Sequence, residues 1–409
     1  MSTGSSPRAD TTQTQVSDRL APFGTTIFAE MTALAIEHDA VNLSQGFPDF
    51  DGPDFIKHAA VEAIGSGQNQ YARSQGIARL NEAIATRWHA ATGVRIDPTA
   101  QVTVTSGCTE ALAATFLGLV NPGDEVVLFE PYYDSYRACV AMAGAIPRFV
   151  TLHAPGADSA PDAAFQFDPD ELRRAFTART RAILVNTPHN PTGKVFSREE
   201  LALVADLCIA HDVIAITDEV YEDLVYEPDR PHLRLATFDG MSDRTVTLSS
   251  LGKTFSLTGW KIGWAIASPA LSAGVRAAHQ FLTYATATPL QHGAAQALTG
   301  GEDYIESLLG HYRAARDYLC QALSEIGLGV FKPAGTYFIM ADHSPVSARL
   351  GLGDDVAFCR YLTGTVGVAA IPPSVFYEHR EHGSRLVRFA FCKKMDTLEE
   401  AVRRMRSIA

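Results

Sequence analysis

Between about residues 100 and 270 the chain alternates short runs of β-branched and apolar residues with longer segments of helical periodicity. This alternation favours a mainly parallel sheet covered by helices on both faces, because each connection must cross back over the sheet. The predicted strands are residues 102–105, 125–129, 148–150, 182–185, 213–217, 245–248 and 262–266. The sequence therefore predicts an α/β fold, in which a three-layer large domain is built on a mainly parallel sheet.

Two of the predicted helices begin at capping signals. Asp168 precedes Pro169 and has Glu171 three residues further on, and Ser197 has Glu200 at the same spacing. A short polar residue followed by glutamate at this distance is typical of a capped helix start. After about residue 290, longer helical patterns and strand patterns at 336–340 and 386–390 predict a smaller α+β domain.

Composition narrows the class of protein. With 409 residues, of which 46% are hydrophobic, the chain is long enough for two domains with substantial cores. A net charge of −12 argues against a nucleic-acid or anionic-membrane partner. Six cysteines are spaced singly, which suits a reducing cytoplasm and gives no sign of a metal site. No apolar run approaches the length of a membrane span, and residues 1–18, rich in Ser, Thr and Gln, are predicted to be a disordered tail.

Three polar side chains directly follow predicted strands. They are Asn190, Asp218 and Lys253, and ligands of open α/β sheets collect at the carboxyl ends of the strands. Lys253 lies among apolar neighbours, which desolvate its amine, lower its pKa and make it nucleophilic towards an aldehyde. Gly252-Lys253-Thr254 also matches the end of a phosphate-loop pattern, but position 247, where that pattern requires glycine, is Thr.

The order of these motifs carries a family resemblance. Asn186-Thr-Pro-His-Asn-Pro-Thr-Gly193, then Thr217-Asp-Glu-Val-Tyr221, then Lys253 resemble the fold-type I pyridoxal-phosphate-dependent aminotransferases, from about residue 19 to the end. Asn42-Leu-Ser-Gln-Gly-Phe-Pro-Asp49 and Gly259-Trp-Lys-Ile-Gly-Trp264 are most similar to the kynurenine aminotransferase and glutamine transaminase K subgroup and to actinobacterial N-succinyldiaminopimelate aminotransferase. The resemblance implies an N-terminal segment, residues 19–50, packed with the small domain, a cofactor-binding large domain, residues 51–290, and a small domain, residues 291–409.

The resemblance also assigns roles around the cofactor, pyridoxal 5′-phosphate. Lys253 is expected to form the Schiff base and then to act as the general base. Asp218 is expected beside the pyridine nitrogen, where a carboxylate favours the protonated ring, although a turn or helix cap is the alternative for this residue. Asn190 and Tyr221 are expected to face the phenolic oxygen, and Tyr133 to stack on the ring; a turn asparagine and packed core aromatics are their alternatives.

The phosphate group calls for backbone amides at a helix start and for positive charge. Gly107, Cys108 and Thr109 follow a predicted strand and open an apolar helix, which suits this task. The resemblance adds the hydroxyl of Ser250 and the cation of Lys261, for which a solvated surface lysine is the alternative. It also implies that Tyr71 reaches the phosphate of a second subunit, so that a homodimer shares its active sites.

The substrate carboxylate calls for a planar, bidentate cation. Arg388 lies within an apolar predicted strand, where an arginine without an anion would be costly. It is therefore predicted to bind the α-carboxylate, with help from the backbone of Gly46. Phe28 and Tyr284 are expected to line the side-chain pocket, and the alternative for Tyr284 is that it comes from the partner subunit.

The activity implied is transfer of an amino group from an L-amino acid to a 2-oxo acid by ping-pong kinetics. N-succinyl-diaminopimelate, glutamate, glutamine, methionine, aromatic amino acids and kynurenine are all open as substrates. An alternative on the same residues is β-elimination from cysteine S-conjugates. A cofactor-sensing regulator of this fold would have an added DNA-binding domain, which the roughly twenty residues before the matched region are too few to form.

Overall fold

The computed structural model describes residues 16–24, 26–156 and 163–409, so most of the predicted tail lies outside the described residues. The helices are α1 Ile27–Glu37, α2 Asp54–Gly65, α3 Ala78–Thr92, α4 Cys108–Leu119, α5 Asp134–Met142, α6 Pro169–Ala175, α7 Arg198–His211, α8 Leu251–Thr254, α9 Pro269–Leu282, α10 Thr288–Gly300, α11 Glu302–Ile326, α12 Ser344–Leu350, α13 Asp355–Tyr361 and α14 Met395–Met405. The strands are β1 Val41–Asn42, β2 Val102–Thr105, β3 Glu125–Glu130, β4 Ile146–Thr151, β5 Thr180–Asn186, β6 Ile214–Asp218, β7 Thr245–Ser250, β8 Gly263–Ala267, β9 Gly329–Phe331, β10 Phe338–Asp342, β11 Val368–Ala369 and β12 Leu386–Ala390.

The central sheet contains seven strands in the order β2-β8-β7-β6-β5-β3-β4. Every neighbouring pair is parallel except the two that β8 forms, with β2 and with β7. All seven strands predicted between residues 100 and 270 are present, and the predicted mainly parallel sheet is confirmed.

Helices cover both faces of this sheet. Along β3, Val126 and Leu128 pack with α4 and α5, whereas Val127 and Phe129 pack with α6 and α7. Successive side chains of a strand point to opposite faces, so a fully apolar run is buried on both sides. The result is the three-layer arrangement that the sequence predicts.

The two helix starts differ in detail. At α7 the capping box is complete, since Ser197 Oγ accepts from the Glu200 amide at 3.2 Å and Glu200 Oε2 accepts from the Ser197 amide at 2.8 Å. At α6, Asp168 Oδ1 accepts from the Asp170 amide at 2.8 Å. Glu171 instead accepts from the Thr151 amide at 3.1 Å, which ties α6 to β4.

The N-terminal segment packs with the C-terminal part of the chain, which contains the antiparallel sheet β12-β10-β9. β1 pairs with β11 in parallel, and the carbonyl of Leu43 accepts from the Ala390 amide at 2.8 Å. Helix α10, however, packs with α2 and α3 of the large domain. The predicted boundary at residue 290 falls within this helix, and we propose that the small domain begins after it. In the described part of the chain, no helix is both long enough and apolar enough to cross a membrane.

Candidate active site

A cavity of about 350 Å³ lies at the carboxyl ends of the central strands. Residues from β6, from the turns after β5 and β7, from the start of α4 and from β12 of the small domain all contribute to its wall. The predicted site residues that line it are Phe28, Gly46, Gly107, Cys108, Thr109, Tyr133, Asn190, Asp218, Tyr221, Ser250, Lys253, Lys261 and Arg388. Residues distant in sequence therefore meet at one place.

Asp218 is the buried carboxylate of this cavity. Its Oδ2 accepts from the hydroxyl of Tyr136 at 2.7 Å, and its Oδ1 accepts from the Val220 amide at 3.3 Å and the thiol of Cys108 at 3.7 Å. Burial raises the pKa of Asp218, while these hydrogen bonds act in the opposite direction. A cation placed beside it would stabilise the ionised form, so the carboxylate is suited to hold a protonated ring nitrogen.

Lys253 lies in α8, directly after β7. Its Nζ donates to the hydroxyl oxygen of Tyr337 at 2.9 Å, and that hydroxyl donates to the carbonyl of Gly46 at 2.6 Å. Burial lowers the pKa of Lys253. The neutral amine, which is the nucleophilic form, is therefore favoured.

The start of α4, residues 107–109, together with Lys261 forms a hollow suited to an anion, the anion cup. Gly107 precedes it with φ of 81°, in the left-handed region that favours glycine, and a Cβ at this position would lie 2.9 Å from Lys261 Cε. A Cβ at Gly263 would lie 2.6 Å from the Cys108 nitrogen, so β8 also depends on glycine to approach the cup. The Gly107 amide donates to the Thr105 carbonyl at 2.8 Å, so its predicted role as an anion donor is weakened. The helix start still presents the amides of Cys108 and Thr109, with Lys261 beside them.

Arg388 is a buried residue of β12 that lines the cavity. Its side chain donates to Asn190 Oδ1 at 3.3 Å and to the Ser44 carbonyl at 2.9 Å, and Nε has no hydrogen-bond partner among the described residues. The guanidinium lies 4.2 Å from the ring centre of Phe338 and 5.3 Å from those of Phe28 and Phe376. Burial lowers the pKa of Arg388 to about 10. Such a cation is suited to bind an anion in the cavity.

The remaining polar and aromatic residues connect these parts. Asn190 donates its amide to Asn186 Oδ1 at 2.7 Å, and Asn186 Nδ2 donates to the Asp218 carbonyl at 2.8 Å. Tyr221 is buried edge-on to Tyr337, with 5.2 Å between ring centres. Tyr133 is half-buried at the start of α5 and lines the cavity.

Two predicted site residues lie elsewhere. Tyr71 and Tyr284 pack edge-to-face on each other at 5.5 Å, and neither lines the cavity that contains Lys253. Tyr71 is 85% exposed and borders a second, open cavity formed with residues 285–289. Within one subunit these two residues are therefore separate from the rest of the site.

Two polar residues that contact Asp218 and Lys253, Tyr136 and Tyr337, were not predicted from the sequence. Tyr136 follows Tyr133 by one helical turn, so the spacing alone could have placed it on the same side of α5. Tyr337, just before β10, has no such signal, because a tyrosine in an apolar strand pattern reads as a core residue. Only the fold shows that its hydroxyl meets Lys253.

Comparison with known proteins defines the class. The sequence profile of the family described as aminotransferase class I and II matches residues 38–405. A protein of Mycobacterium tuberculosis named as a probable N-succinyldiaminopimelate aminotransferase is 49% identical over 399 residues, 96% of this chain and 98% of its own length. The chain belongs to the class I and II aminotransferases.

Further relatives agree with this assignment. The methionine aminotransferase of Escherichia coli is 39% identical over 95% of this chain and 97% of its own length. Human kynurenine–oxoglutarate transaminase 1 is 39% identical over 93% of this chain and 94% of its own length. The solved structure of N-succinyldiaminopimelate aminotransferase from Mycobacterium tuberculosis matches with a TM-score of 0.91, covering 96% of this chain and 100% of that one. The predicted fold type and the predicted aminotransferase activity are confirmed.

Proposed function

We propose that this aminotransferase binds pyridoxal 5′-phosphate in the cavity and uses it to move the amino group of an L-amino acid to a 2-oxo acid. The observation that carries the proposal is the convergence of the amine of Lys253, the carboxylate of Asp218 and the guanidinium of Arg388 on one cavity. These are the groups needed to bind an aldehyde, a pyridinium nitrogen and a substrate carboxylate. Their spacing along the chain, from 218 to 388, makes a chance meeting implausible.

The residues around the cavity fit this cofactor. A buried carboxylate lies at one point, the start of α4 with Lys261 provides an anion cup at another, and a lysine whose pKa is lowered by burial lies in the same wall. When bound, pyridoxal phosphate supplies an aldehyde carbon and a ring that accepts the electron pair left at the substrate Cα. Without that acceptor, none of the side chains here stabilises such a pair.

Each side chain then has a definite task. Asp218 keeps the ring nitrogen protonated, Asn190 and Tyr221 donate to the phenolic oxygen, and Tyr133 covers the ring. The amides of Cys108 and Thr109 bind the phosphate together with Ser250, Lys261 and, through its conformation, Gly107. The geometry of α4 supports the phosphate assignment, because the helix dipole points its positive end at the cup.

Lys253 is the proton carrier in this proposal. With the cofactor bound, its amine would hold the aldehyde and, once free, would take the proton from the substrate Cα. A neutral amine is required for that step, and burial favours it. Release of the product oxo acid before the second substrate binds gives ping-pong kinetics.

Substrate recognition is proposed to depend on Arg388 and its aromatic surroundings. The guanidinium binds the α-carboxylate, with Gly46 and Asn190 close by, and Phe28 lies where the substrate side chain would extend. The names of the relatives support amino donors of the N-succinyl-diaminopimelate, methionine or kynurenine type, with glutamate, glutamine and aromatic amino acids as further candidates. A panel of these donors with 2-oxoglutarate identifies the substrate, and pyruvate released without any oxo acid would reveal β-elimination.

We also propose a cytoplasmic homodimer in which Tyr71 and Tyr284 serve the partner's site. Both tyrosines are exposed, as is Phe281 nearby on α9, which is 88% exposed. Mixing inactive Tyr71→Ala and Lys253→Ala subunits should restore about a quarter of wild-type activity, because half of random dimers are mixed and each has one intact site. No recovery on mixing would contradict shared sites.

The direct test of the proposed function is a Lys253→Ala variant. It should lose transamination with every donor and lose the visible absorbance of the bound cofactor. Lys194→Ala is a matched control, since Lys194 is a buried lysine that donates to Glu200 at 2.6 Å and does not line the cavity. Persistence of both activity and absorbance in Lys253→Ala would overturn the proposal.

A further inference from the structure

The hydroxyl of Tyr337 bridges the catalytic lysine and the N-terminal segment. It lies 2.9 Å from Lys253 Nζ and 2.6 Å from the carbonyl oxygen of Gly46. Tyr337 is fully buried just before β10, and its ring is packed edge-on against Tyr221 and Phe338 at 5.2 and 4.8 Å. The hydroxyl is therefore held in one position by its surroundings.

The direction of the two hydrogen bonds follows from chemistry. A carbonyl oxygen can only accept, so the proton of Tyr337 points to Gly46. The phenolic oxygen then presents its lone pairs to Lys253, and the amine must be the donor in that contact. Burial raises the pKa of Tyr337 well above its ordinary value, so the phenol keeps its proton.

We propose that Tyr337 is a positioning residue that holds the amine of Lys253 whenever the lysine is not bonded to the cofactor, and that it couples the amine to residues 44–47. The inference rests on the proposed function for the role of Lys253. An amine that donates one N–H to Tyr337 has its lone pair restricted to the two remaining tetrahedral positions on Nζ. This orientation is what a general base requires, because misalignment of a reacting group is costly in rate.

The coupling to the N-terminal segment reaches the substrate site. Gly46 lines the cavity, and the nearby Ser44 carbonyl accepts from Arg388 at 2.9 Å. A Cβ at Gly46 would lie 2.9 Å from Tyr337 Cε2 and 2.5 Å from Phe338 Cζ, so the segment fits closely against these rings. The same segment thus contacts both the residue that orients the base and the residue that binds the substrate carboxylate.

The test compares Tyr337→Phe with Tyr226→Phe. Tyr226 is a matched control because it is equally buried and donates to a backbone carbonyl, that of Thr336, but has no contact with Lys253. In apoprotein, the pKa of Lys253 is measured as the pH dependence of its acylation by acetic anhydride, read by peptide mass spectrometry. The other titratable groups facing this amine, which stay unchanged in both variants, are Asp218, Lys261, Cys108, Cys392 and Tyr221.

Loss of an acceptor destabilises the ammonium more than the amine, so the pKa of Lys253 should fall by about one unit in Tyr337→Phe and stay unchanged in Tyr226→Phe. In the loaded enzyme, kcat should fall about tenfold with little change in KM. Gly46→Ala, which displaces the Tyr337 ring, should also lower the pKa of Lys253. This second variant keeps the inference testable if Tyr337→Phe fails to fold.

Equal pKa values for Lys253 in the two tyrosine variants, or equal kcat values, would overturn the inference. The apoprotein measurement needs no cofactor and no turnover. Retained activity in Lys253→Ala would instead overturn the proposed function, so the two failures are distinguishable.

Discussion

Two parts of the cavity wall, around Asp218 and around Arg388, hold opposite buried charges in different ways. Asp218 accepts three hydrogen bonds from its own chain, from Tyr136, Val220 and Cys108. Arg388 is surrounded by aromatic rings, donates to only two oxygens and leaves Nε without a partner among the described residues. The carboxylate is therefore prepared in advance, whereas the guanidinium becomes fully satisfied only when an anion arrives.

Under the proposed function, this difference matches the lifetimes of the two ligands, the cofactor at Asp218 and the substrate at Arg388. A cofactor that stays bound through many turnovers benefits from a preorganised partner, because no reorganisation is needed at each step. A substrate that must bind and leave can supply the missing partner itself. Hydrogen bonds through Asn190 and Asn186 link the guanidinium of Arg388 to the backbone carbonyl of Asp218, whereas the carboxylate has its own donors.

Removing the charge of Asp218 should have the largest effect on activity. Asp218→Asn leaves the ring nitrogen without a carboxylate, and breaking a buried charge pair costs about 3–5 kcal/mol. A fall in kcat on the order of 10²–10³-fold is therefore expected from steady-state kinetics. Asp355→Asn is the control, because Asp355 is also buried with a raised pKa but bonds to the Ser374 amide away from the cavity. Equal losses in the two variants would remove the special role of Asp218.

For Arg388, the effect of a substitution should appear in the binding of the substrate. Arg388→Lys keeps a positive charge but loses the planar fork, so KM for the amino donor should rise roughly 10–100-fold, as expected for lost hydrogen bonds to a charged group. The matched control is Arg316→Lys, since Arg316 is equally buried but already paired with Glu227 and Asp317. That variant should lower thermal stability and leave KM unchanged. A KM for Arg388→Lys close to that of wild type would contradict the proposed carboxylate site.

A smaller effect should follow from removing one of the hydrogen bonds that the carboxylate of Asp218 accepts. Tyr136→Phe removes one hydrogen bond to the carboxylate, and the dissociation constant of pyridoxal phosphate from the apoprotein should rise about tenfold. Fluorescence titration of the apoprotein measures this directly. Tyr226→Phe, which removes a buried hydroxyl elsewhere, should leave the constant unchanged. If both variants bind the cofactor as tightly as wild type, preorganisation of Asp218 contributes little.

The smallest expected effect is a pH dependence of anion binding at Arg388. The pKa of Arg388 is lowered to about 10, so the cation is present below that pH and is lost as the pH rises through it. The dissociation constant of 2-oxoglutarate, which has no amine to titrate, should double at about pH 10 and be constant between pH 7 and 8.5. A constant that does not change up to pH 10.5 in still-folded enzyme would show that burial does not perturb this arginine.

Much of the fold could be predicted because local signals and tertiary packing agree. The strands from residue 102 to residue 267 are apolar runs separated by helical segments, two of which, α6 and α7, begin at side-chain caps, and each signal acts over a few residues. The predicted domain boundary at residue 290 disagrees with the packing, because α10 has a helical pattern whichever domain it joins. Its apolar face contacts α2 and α3, which are about 200 residues earlier in the chain.

Prediction of the site from the sequence is limited in the same way, by contacts between segments that are distant in the chain. Asn190, Asp218 and Lys253 could be placed together because each follows a strand of one parallel sheet. The role of the α4 amides as phosphate donors stays a prediction, and the hydrogen bond that occupies the Gly107 amide depends on the local turn. Tyr337 could not be found, since its contacts with Lys253 and Gly46 join segments 84 and 291 residues apart.

The most direct test is borohydride reduction of the enzyme loaded with pyridoxal phosphate, followed by peptide mapping. The proposal predicts a reduced pyridoxyl group on Lys253 and none on Lys261 or Lys393. A label on another lysine, or no label at all with the cofactor bound, would contradict the assignment of Lys253 as the residue that holds the cofactor.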